Sequence, residues 1–341
     1  MCYSLLVQCA FCLLQGLFGH KMMGPKVLHL VGSPTDTFNF EMSLMYSRSL
    51  INAKYQSAKD HVNSFAVVHP NGSWSFPSNL EKDLTTIKQK QKQKITTCGA
   101  MSVVELLRPD CVVNHILCQK RSHYIGLFEV LGIPVIGVDS QVCANITDKG
   151  TSRAVLVQGG VNVPPGQVLV RADIQDDYRR AAVRPCYTEG YPAVVKPTRM
   201  ENSVGVEVVR SEEELGAALE RAFSYGDSVL VDQFIAGREV RCGAVELVPG
   251  QVTPLEVLEY CVDPDGIRKF EDKLEEENGQ LRQAASTKTW LMDARQEEAL
   301  RRRVQAVATR VHAVMGCTDF SQIDCRYRSL QLAQSWSILS V

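Results

Sequence analysis

The feature that most constrains the fold is an alternation of short β-branched runs with stretches of helical pattern, beginning at residue 26. Four such runs precede residue 140, and they read KVLHLVG, FAVVHP, DCVVNHIL and IPVIGV. Each is apolar over nearly its whole length, as in strands buried on both faces of a parallel sheet, and the intervening segments are long enough for crossover helices. One crossover helix is predicted from Tyr124 to Leu131, with Ile125, Phe128 and Leu131 on one face. Residues 24–145 are therefore predicted to form an open parallel α/β domain.

A second section, predicted over residues 146–235, has a different pattern. YPAVVKP and VGVEVVR are typical of two antiparallel strands joined by the polar loop TRMENS, and SVLVDQFI is typical of a further strand. The helix between them is predicted to begin with a capping box formed by Ser211 and Glu214. Its buried stripe would comprise Leu215, Ala218, Leu219 and Ala222.

The third section, residues 236–341, is predicted to be an antiparallel α+β domain that is incomplete at its end. REVRCGAVEL, TPLEVLEY and DFSQIDCRYR read as strands, and Asp293 is expected to cap the helix that precedes the last of them. The buried stripe of that helix would comprise Leu300, Val304, Val307, Val311 and Val314. A layout in three parts favours an enzyme with its site at a domain junction.

The first 23 residues stand outside this pattern. They are apolar from Leu5 to Phe18, which is shorter than a membrane span of about 20 residues. No Lys or Arg precedes Lys21, so the basic start of a secretory signal is lacking. A dispensable extension, a targeting segment and an anchor all stay open for this stretch.

Net charge and cysteine usage limit the classes of partner and the cellular compartment that we expect. The net charge is −1, which gives no electrostatic case for nucleic acid or for an anionic membrane. The 12 cysteines are scattered singly, several within apolar runs, which indicates a reducing compartment. We expect a cytoplasmic protein, with organelle targeting left open by the N-terminal segment.

Two motifs carry chemistry of their own. Lys196 ends a buried strand and precedes a loop with Ser203 and Gly205, so an ammonium and backbone N–H groups can meet phosphate oxygens. Taken alone, such a residue is more often a surface lysine at a strand end. VLVDQFIAGRE reads as a strand running into a linker that could present backbone groups to a purine, while Asp232 or Glu239 accepts ribose hydroxyls.

In this order the motifs resemble the ATP-grasp superfamily and, more narrowly, the D-alanine–D-alanine ligase family, over residues 26–328. The stretches that carry the resemblance are LFEVLGIPVIGV, ITDKGTSRAVLVQGGVNVPPG, AVVKPTRMENSVGV, VLVDQFIAGREV, FEDKL and CTDFSQIDC. The resemblance implies an α/β, three-domain ATP-grasp architecture, in which residues 146–235 are the lid domain.

The resemblance also implies ATP and Mg²⁺ as cofactors and gives the nucleotide residues by position. Lys149 and Lys196 would neutralise the α- and β-phosphates, and Lys273 would reach the γ-phosphate. Ser203 would belong to the closing lid. The residues that would hold the adenosine are Asp232 at the adenine amine, the linker Gln233, Phe234 and Ile235, and Glu239 at the ribose.

Three further positions follow from the resemblance, and each has an ordinary structural alternative. Glu41 would grip the ammonium of the first substrate, or is a plain acid near a helix N-terminus. His115 matches a family position by counting back from LFEVLG, although the glycine-rich loop expected after it is missing, or it is a packed core histidine. Asp324 would bind Mg²⁺, although the segment after it, SLQLAQSWSILSV, contains no Asp, Glu or Asn, whereas the family places further metal ligands there.

Departures also occur in the lid and beside Asp324. Glu201 and Asn202 replace a glycine and a serine of the family's loop, and Gln322 replaces an arginine. The activity implied is a carboxylate–amine ligase that works through an acyl phosphate and releases ADP and phosphate. Its substrates would be small amino acids or amino metabolites, and a homodimer is expected. The alternative is a truncated or degenerate relative that binds nucleotide without ligating.

Overall fold

The computed structural model describes residues 24–51, 62–80, 95–173, 190–277, 280–283, 288–293, 297–327 and 336–340. The predicted N-terminal extension, residues 1–23, lies outside them. The strands within the described ranges are β1 Lys26–Gly32, β2 Val62–Val68, β3 Trp74–Ser75, β4 Cys111–Asn114, β5 Val135–Ile136, β6 Gly166–Val170, β7 Ala193–Pro197, β8 Glu207–Val209, β9 Ser228–Gln233, β10 Arg238–Val248, β11 Gln251–Tyr260, β12 Leu274–Glu277, β13 Gln280–Gln283, β14 Thr289–Leu291, β15 Phe320–Tyr327 and β16 Trp336–Ser340. The helices are α1 Thr37–Ile51, α2 Thr97–Leu107, α3 Arg121–Val130, α4 Ser140–Thr147, α5 Lys149–Gln158, α6 Glu212–Phe223 and α7 Glu298–Met315.

The first sheet has the order β3-β2-β1-β4-β5 and is parallel apart from the short edge strand β3. The predicted parallel α/β fold is thus confirmed. Ile125 and Phe128 of α3 are buried, as predicted, but Leu131 is 39% exposed. The bounds of the helix differ from the predicted Tyr124 to Leu131: α3 begins at Arg121 and ends at Val130, and Leu131 follows as its C-cap residue.

The second sheet is antiparallel, with the order β6-β9-β7-β8, and α6 covers one face. The predicted apolar stripe of α6 is buried. The predicted capping box is wrong in its contacts: the Ser211 side chain makes no capping hydrogen bond, and Glu214 Oε2 instead accepts from the Arg210 backbone N–H at 2.7 Å. Glu214 therefore accepts from the backbone N–H of Arg210, one residue before Ser211, whose N–H the capping box predicts as the donor.

The third sheet is also antiparallel, with the order β14-β11-β10-β15-β16, and α7 packs on it. Leu300, Val304 and Val311 of the predicted stripe are buried, and Val307 and Val314 are partly buried. Asp293 does not cap α7, which begins at Glu298 with Glu297 at the N-cap position. The Asp293 backbone carbonyl accepts from the Glu297 N–H instead, at 2.9 Å.

Helix α5 connects these layers. Asp148 caps it by accepting from the Thr151 N–H at 3.0 Å, and Leu156 packs into the core formed by the third sheet and α7. Its N-terminal end is held to the second sheet, because the Lys149 N–H donates to the Thr198 carbonyl at 2.9 Å. None of the helices in the described ranges is both long and apolar enough to cross a membrane.

Candidate active site

A cavity of about 340 Å³ is bordered by the second and third sheets, α5 and two loops, and strand alternation decides which residues face it. Val195 and Val231 point into the core under α6, so their neighbours Lys196 and Asp232 point into the cavity. The same alternation holds on β10 and β15, where one set of residues packs against α7. The set on the cavity side comprises Glu239, Arg241, Gln322, Asp324 and Arg326.

The Lys196 pair, Lys196 with Asp232, lies at one side of the cavity. Lys196 Nζ is 2.7 Å from Asp232 Oδ2, and both residues are buried. Asp232 Oδ1 is buried too, but none of the described residues donates a hydrogen bond to it, and Arg153 Nη1 lies 3.9 Å away. A Cβ on Gly166 would lie 2.2 Å from this oxygen, so glycine is required there. The pair therefore presents one unsatisfied acceptor.

Glu239 lies between two arginines, Arg268 and Arg326, which reach it from outside its own strand. Arg268 Nε is 3.4 Å from Glu239 Oε1, and Arg326 Nη2 is 3.7 Å from Glu239 Oε2. Arg326 Nη1 also donates to the Ile235 carbonyl at 2.9 Å, which fixes the linker after β9. Both separations from Glu239 are long enough for a ligand hydroxyl to compete for the carboxylate.

The Arg241 pair, Arg241 with Asp324, lies on the third sheet. Arg241 Nε donates to Asp324 Oδ1 at 2.5 Å and Nη2 donates to Oδ2 at 2.7 Å. Burial would raise the pKa of the Asp324 carboxyl, but the Arg241 charge and hydrogen bonds outweigh it, with Arg268 and Lys273 adding to them, and hold that pKa at about 2. Asp324 is thus ionised and bound through both oxygens.

The loop TRMENS closes over the cavity. Asn202 and Ser203 have φ of 55° and 63°, and Gly205 has 70°; a Cβ on Gly205 would lie 2.8 Å from Pro197 and Tyr225. Ser203 Oγ donates to the Arg268 carbonyl and accepts from Lys273 Nζ, both at 2.8 Å. The loop is therefore fastened to the segment that carries Lys273.

Two lysines in the cavity have lowered pKa values. Burial, with the charge of Lys196, lowers the pKa of Lys149 to about 8. Burial, with the charge of Arg268, lowers the pKa of Lys273 to about 8. Lys149 Nζ donates to the Met200 carbonyl of the loop. Both ammonium groups lack sufficient counter-charge, which an anionic ligand would supply.

Positive charge dominates the cavity. Eight of the described residues that line it are Lys or Arg and four are Asp or Glu. Sequence reasoning did not single out Arg121, Arg153, Arg241, Arg268 or Arg326 as site residues. Period-two alternation is the signal that could have found two of these arginines, because Arg241 and Arg326 lie two positions after Glu239 and Asp324.

All the residues predicted to bind nucleotide line this one cavity, and so does Asp324, whereas Glu41 and His115 do not. Glu41 is half-buried on α1, next to Met42, whose sulfur is 3.8 Å from Asn202 Nδ2. His115 is buried with its Nε2 3.1 Å from His29 Nδ1, and burial lowers the pKa of its imidazole well below the usual value.

Comparison with known proteins gives a consistent result. A sequence model of the D-ala D-ala ligase C-terminus matches residues 155–332, more than half of the chain. The chain is 32% identical to the vancomycin B-type resistance protein VanB of Enterococcus faecalis, over 62% of this chain and 57% of that protein. It is 30% identical to the D-alanine–D-alanine ligase of Geobacter sulfurreducens, over 58% of this chain and 56% of that one. The chain thus spans little more than half the length of these curated relatives.

Solved structures agree on the fold. The D-alanine–D-alanine ligase of Coxiella burnetii aligns with a TM-score of 0.67 at 17% identity, covering 93% of this chain and 84% of that one. The VanG D-Ala:D-Ser ligase of Enterococcus faecalis aligns with a TM-score of 0.65 at 19% identity, covering 93% and 89%. At these low identities, the structural likeness supports the ATP-grasp fold and nothing about function.

Proposed function

This chain belongs to the D-alanine–D-alanine ligase family, and on that premise we propose that it is an ATP-dependent carboxylate–amine ligase. One observation carries the proposal: a buried, cation-rich cavity whose Asp232 has an acceptor oxygen without a donor. An anionic ligand that also carries an amine donor would satisfy both features at once. ATP is such a ligand, and a cavity of about 340 Å³ lies within the usual range for small-molecule sites.

The residues present fit a nucleotide. Asp232 Oδ1 would accept from the adenine amine, the backbone of Gln233, Phe234 and Ile235 would line the base, and Glu239 would accept from the ribose. The phosphates would be held by Lys149, Lys196 and Lys273. ATP, when bound, supplies the phosphoryl group that activates a carboxylate as an acyl phosphate.

The chain's own contribution is to neutralise charge and to exclude water. Lys149 and Lys273, whose pKa values are lowered first by burial, would gain further counter-charge from the phosphates. Ser203 lines that end of the cavity, and with the backbone at Val204 and Gly205 it would close over bound phosphates, which would protect an activated carboxylate from hydrolysis. We therefore assign Ser203 and Lys273 to the catalytic end.

The residues present do not fit a magnesium site. Mg²⁺ takes a nearly octahedral set of oxygen ligands, and both oxygens of Asp324 already accept from Arg241. No three His, Cys, Asp or Glu side chains in the described part of the chain lie close enough together to hold one ion. The proposed function therefore contains no step through a metal.

We propose small amino acids as the other substrates, since the relatives are named for D-alanine and for D-alanine with D-serine. Glu41 would contact the ammonium of the first one from α1, beside the loop that Met42 touches. The same proposal divides the chain into three domains, with residues 24–145, 146–235 and 236–341. It also includes the expected homodimer. Light scattering of the full chain would test the dimer.

The experiment is a measurement of ADP release with D-alanine, D-serine, L-alanine and β-alanine, each with Mg²⁺ and with a chelator. We expect release that depends on one of these amino acids, and a loss of about a hundredfold or more in Lys273→Met, because a charge at the transferred phosphate is removed. Lys269→Ala, four residues away and exposed, is the matched control and should keep full activity. Nucleotide binding without amino-acid-dependent release in any condition would reject the ligase and leave the nucleotide-binding alternative.

A further inference from the structure

The Arg241 pair is fixed by the sheet itself. Arg241 and Asp324 are directly opposed in the antiparallel register of β10 and β15. Their neighbours Val240, Cys242, Ile323 and Cys325 lie in the core under α7, so both charged side chains must face the cavity. Any rearrangement that separated the two charges would have to move side chains mounted on the central strands of the sheet.

The guanidinium binds the carboxylate that the resemblance assigns to Mg²⁺. It binds both carboxylate oxygens in the planar, bidentate geometry that arginine favours, and it lies over the Tyr260 ring with its carbon 5.3 Å from the centroid. Arg268 stacks on the same ring at 3.6 Å. A divalent ion entering here would meet two fixed positive charges and one carboxylate whose oxygens are already bound.

We propose that Arg241 takes the place of a divalent cation in this cavity, so that the chain binds an uncomplexed nucleoside triphosphate rather than its magnesium complex. The inference rests on the proposed function, because it specifies which form of the nucleotide that site accepts. The excess of positive over negative side chains lining the cavity supports it, since it balances the phosphates without a metal. Arg241 keeps its charge at every working pH, as a metal substitute must.

Calorimetric titration of the full chain with β,γ-imido-ATP, in chelator and in excess Mg²⁺, tests the proposal. We expect tighter binding in chelator than in Mg²⁺. Binding that is equal in the two buffers, or tighter in Mg²⁺, would overturn the inference and leave the proposed function standing. No heat in either buffer would overturn both, so the two failures are distinguishable.

Two substitutions sharpen the result with opposite signs. Arg241→Thr should weaken binding in chelator by about tenfold to a hundredfold, because a charged donor to the phosphates is lost. Asp324→Asn should tighten binding in chelator by about threefold or more, since it relieves Arg241 of its counter-charge. If Asp324 were a metal ligand, Asp324→Asn would instead weaken binding in Mg²⁺, and that result would overturn the proposal.

The matched control is Arg302→Thr, which removes an exposed arginine that bonds Glu298 on α7 and should leave both titrations unchanged. Should Arg241→Thr fail to fold, the wild-type comparison of chelator with Mg²⁺ and the Asp324→Asn titration still decide the matter. Asp324→Asn leaves the Arg241 guanidinium in place and keeps an amide oxygen that can accept from it, so we expect this variant to fold.

Discussion

The cavity contains two buried cation–carboxylate pairs that are built differently. In the Lys196 pair, the ammonium engages one oxygen of Asp232 and the other oxygen has no donor. In the Arg241 pair, the guanidinium engages both oxygens of Asp324. The first pair is prepared to accept a donor from a ligand, whereas the second offers a ligand only positive charge. The difference follows from the two side chains: the lysine ammonium is a compact charge, whereas the planar arginine guanidinium can donate to both carboxylate oxygens at once.

The largest expected effect comes from breaking the Lys196 pair. Lys196→Met would leave the buried Asp232 carboxylate without its counter-ion, which typically costs about 3–5 kcal/mol of unfolding free energy. Nucleotide binding should be lost as well. Urea denaturation followed by circular dichroism gives the stability, and calorimetry gives the binding.

The double variant Lys196→Met with Asp232→Leu is the control for this prediction. Removing both charges together should recover most of the lost stability, because a packed apolar pair of similar volume is about as favourable as a buried ion pair. Nucleotide binding should not recover. A double variant as unstable as the single one would mean that the lysine stem, rather than its charge, supports the fold.

The second prediction perturbs only the open acceptor. Gly166→Ala would place a Cβ 2.2 Å from Asp232 Oδ1, so the carboxylate or the β6 backbone must shift. We expect a loss of about 1–3 kcal/mol in unfolding free energy and a nucleotide affinity at least about tenfold weaker. Gly216→Ala on α6, where a Cβ meets nothing within 4 Å, is the control and should stabilise the chain by about 0.5–1 kcal/mol. Unchanged nucleotide affinity in Gly166→Ala would show that Asp232 does not meet the ligand.

The two pairs also differ in how far the sequence predicts them. Lys196 and Asp232 belong to local motifs, a strand end before a flexible loop and a strand before a linker, so both were predicted as site residues. Asp324 was predicted as well, but its partner Arg241 was not. Arg241 and Asp324 are 83 positions apart, and only the register of β10 against β15 opposes them. Local patterns do not fix a register of that kind, because it depends on how the sheet assembles.

Similar reasoning explains the smaller errors in the predicted elements. The strands of the first sheet follow from continuous apolar runs, and the buried stripes of α6 and α7 follow from helical periodicity. Both patterns are properties of the element itself. The capping contacts at Ser211 and Asp293 were predicted wrongly because several residues near a helix start can supply the same hydrogen bond. Tertiary packing then selects among them.

The smallest expected effect is a pH dependence of nucleotide affinity, which distinguishes the two titrating lysines, Lys149 and Lys273, from the permanently charged Arg241. Lys149, near Lys196, and Lys273, near Arg268, both have pKa values lowered to about 8, whereas Arg241 keeps its charge. Bound phosphates would raise both lysine pKa values, so nucleotide binding should take up protons just above pH 8. Affinity should therefore fall as pH rises, approaching about tenfold per lysine between about pH 8.5 and 9.5. Calorimetry in buffers of different ionisation enthalpy measures the proton uptake directly.

Lys149→Arg and Lys273→Arg show which lysine takes up the protons. Lys149 lies near the Lys196 pair, and Lys273 lies near the Arg241 pair. Arginine stays charged across this range, so each substitution should remove about one of the two protons and flatten the pH dependence, while some affinity is retained. Uptake that disappears only in Lys273→Arg would place the phosphates against the Arg241 pair alone. Uptake that survives both substitutions would mean that another group in the cavity titrates, and the contrast between the pairs would then lie in geometry and not in charge.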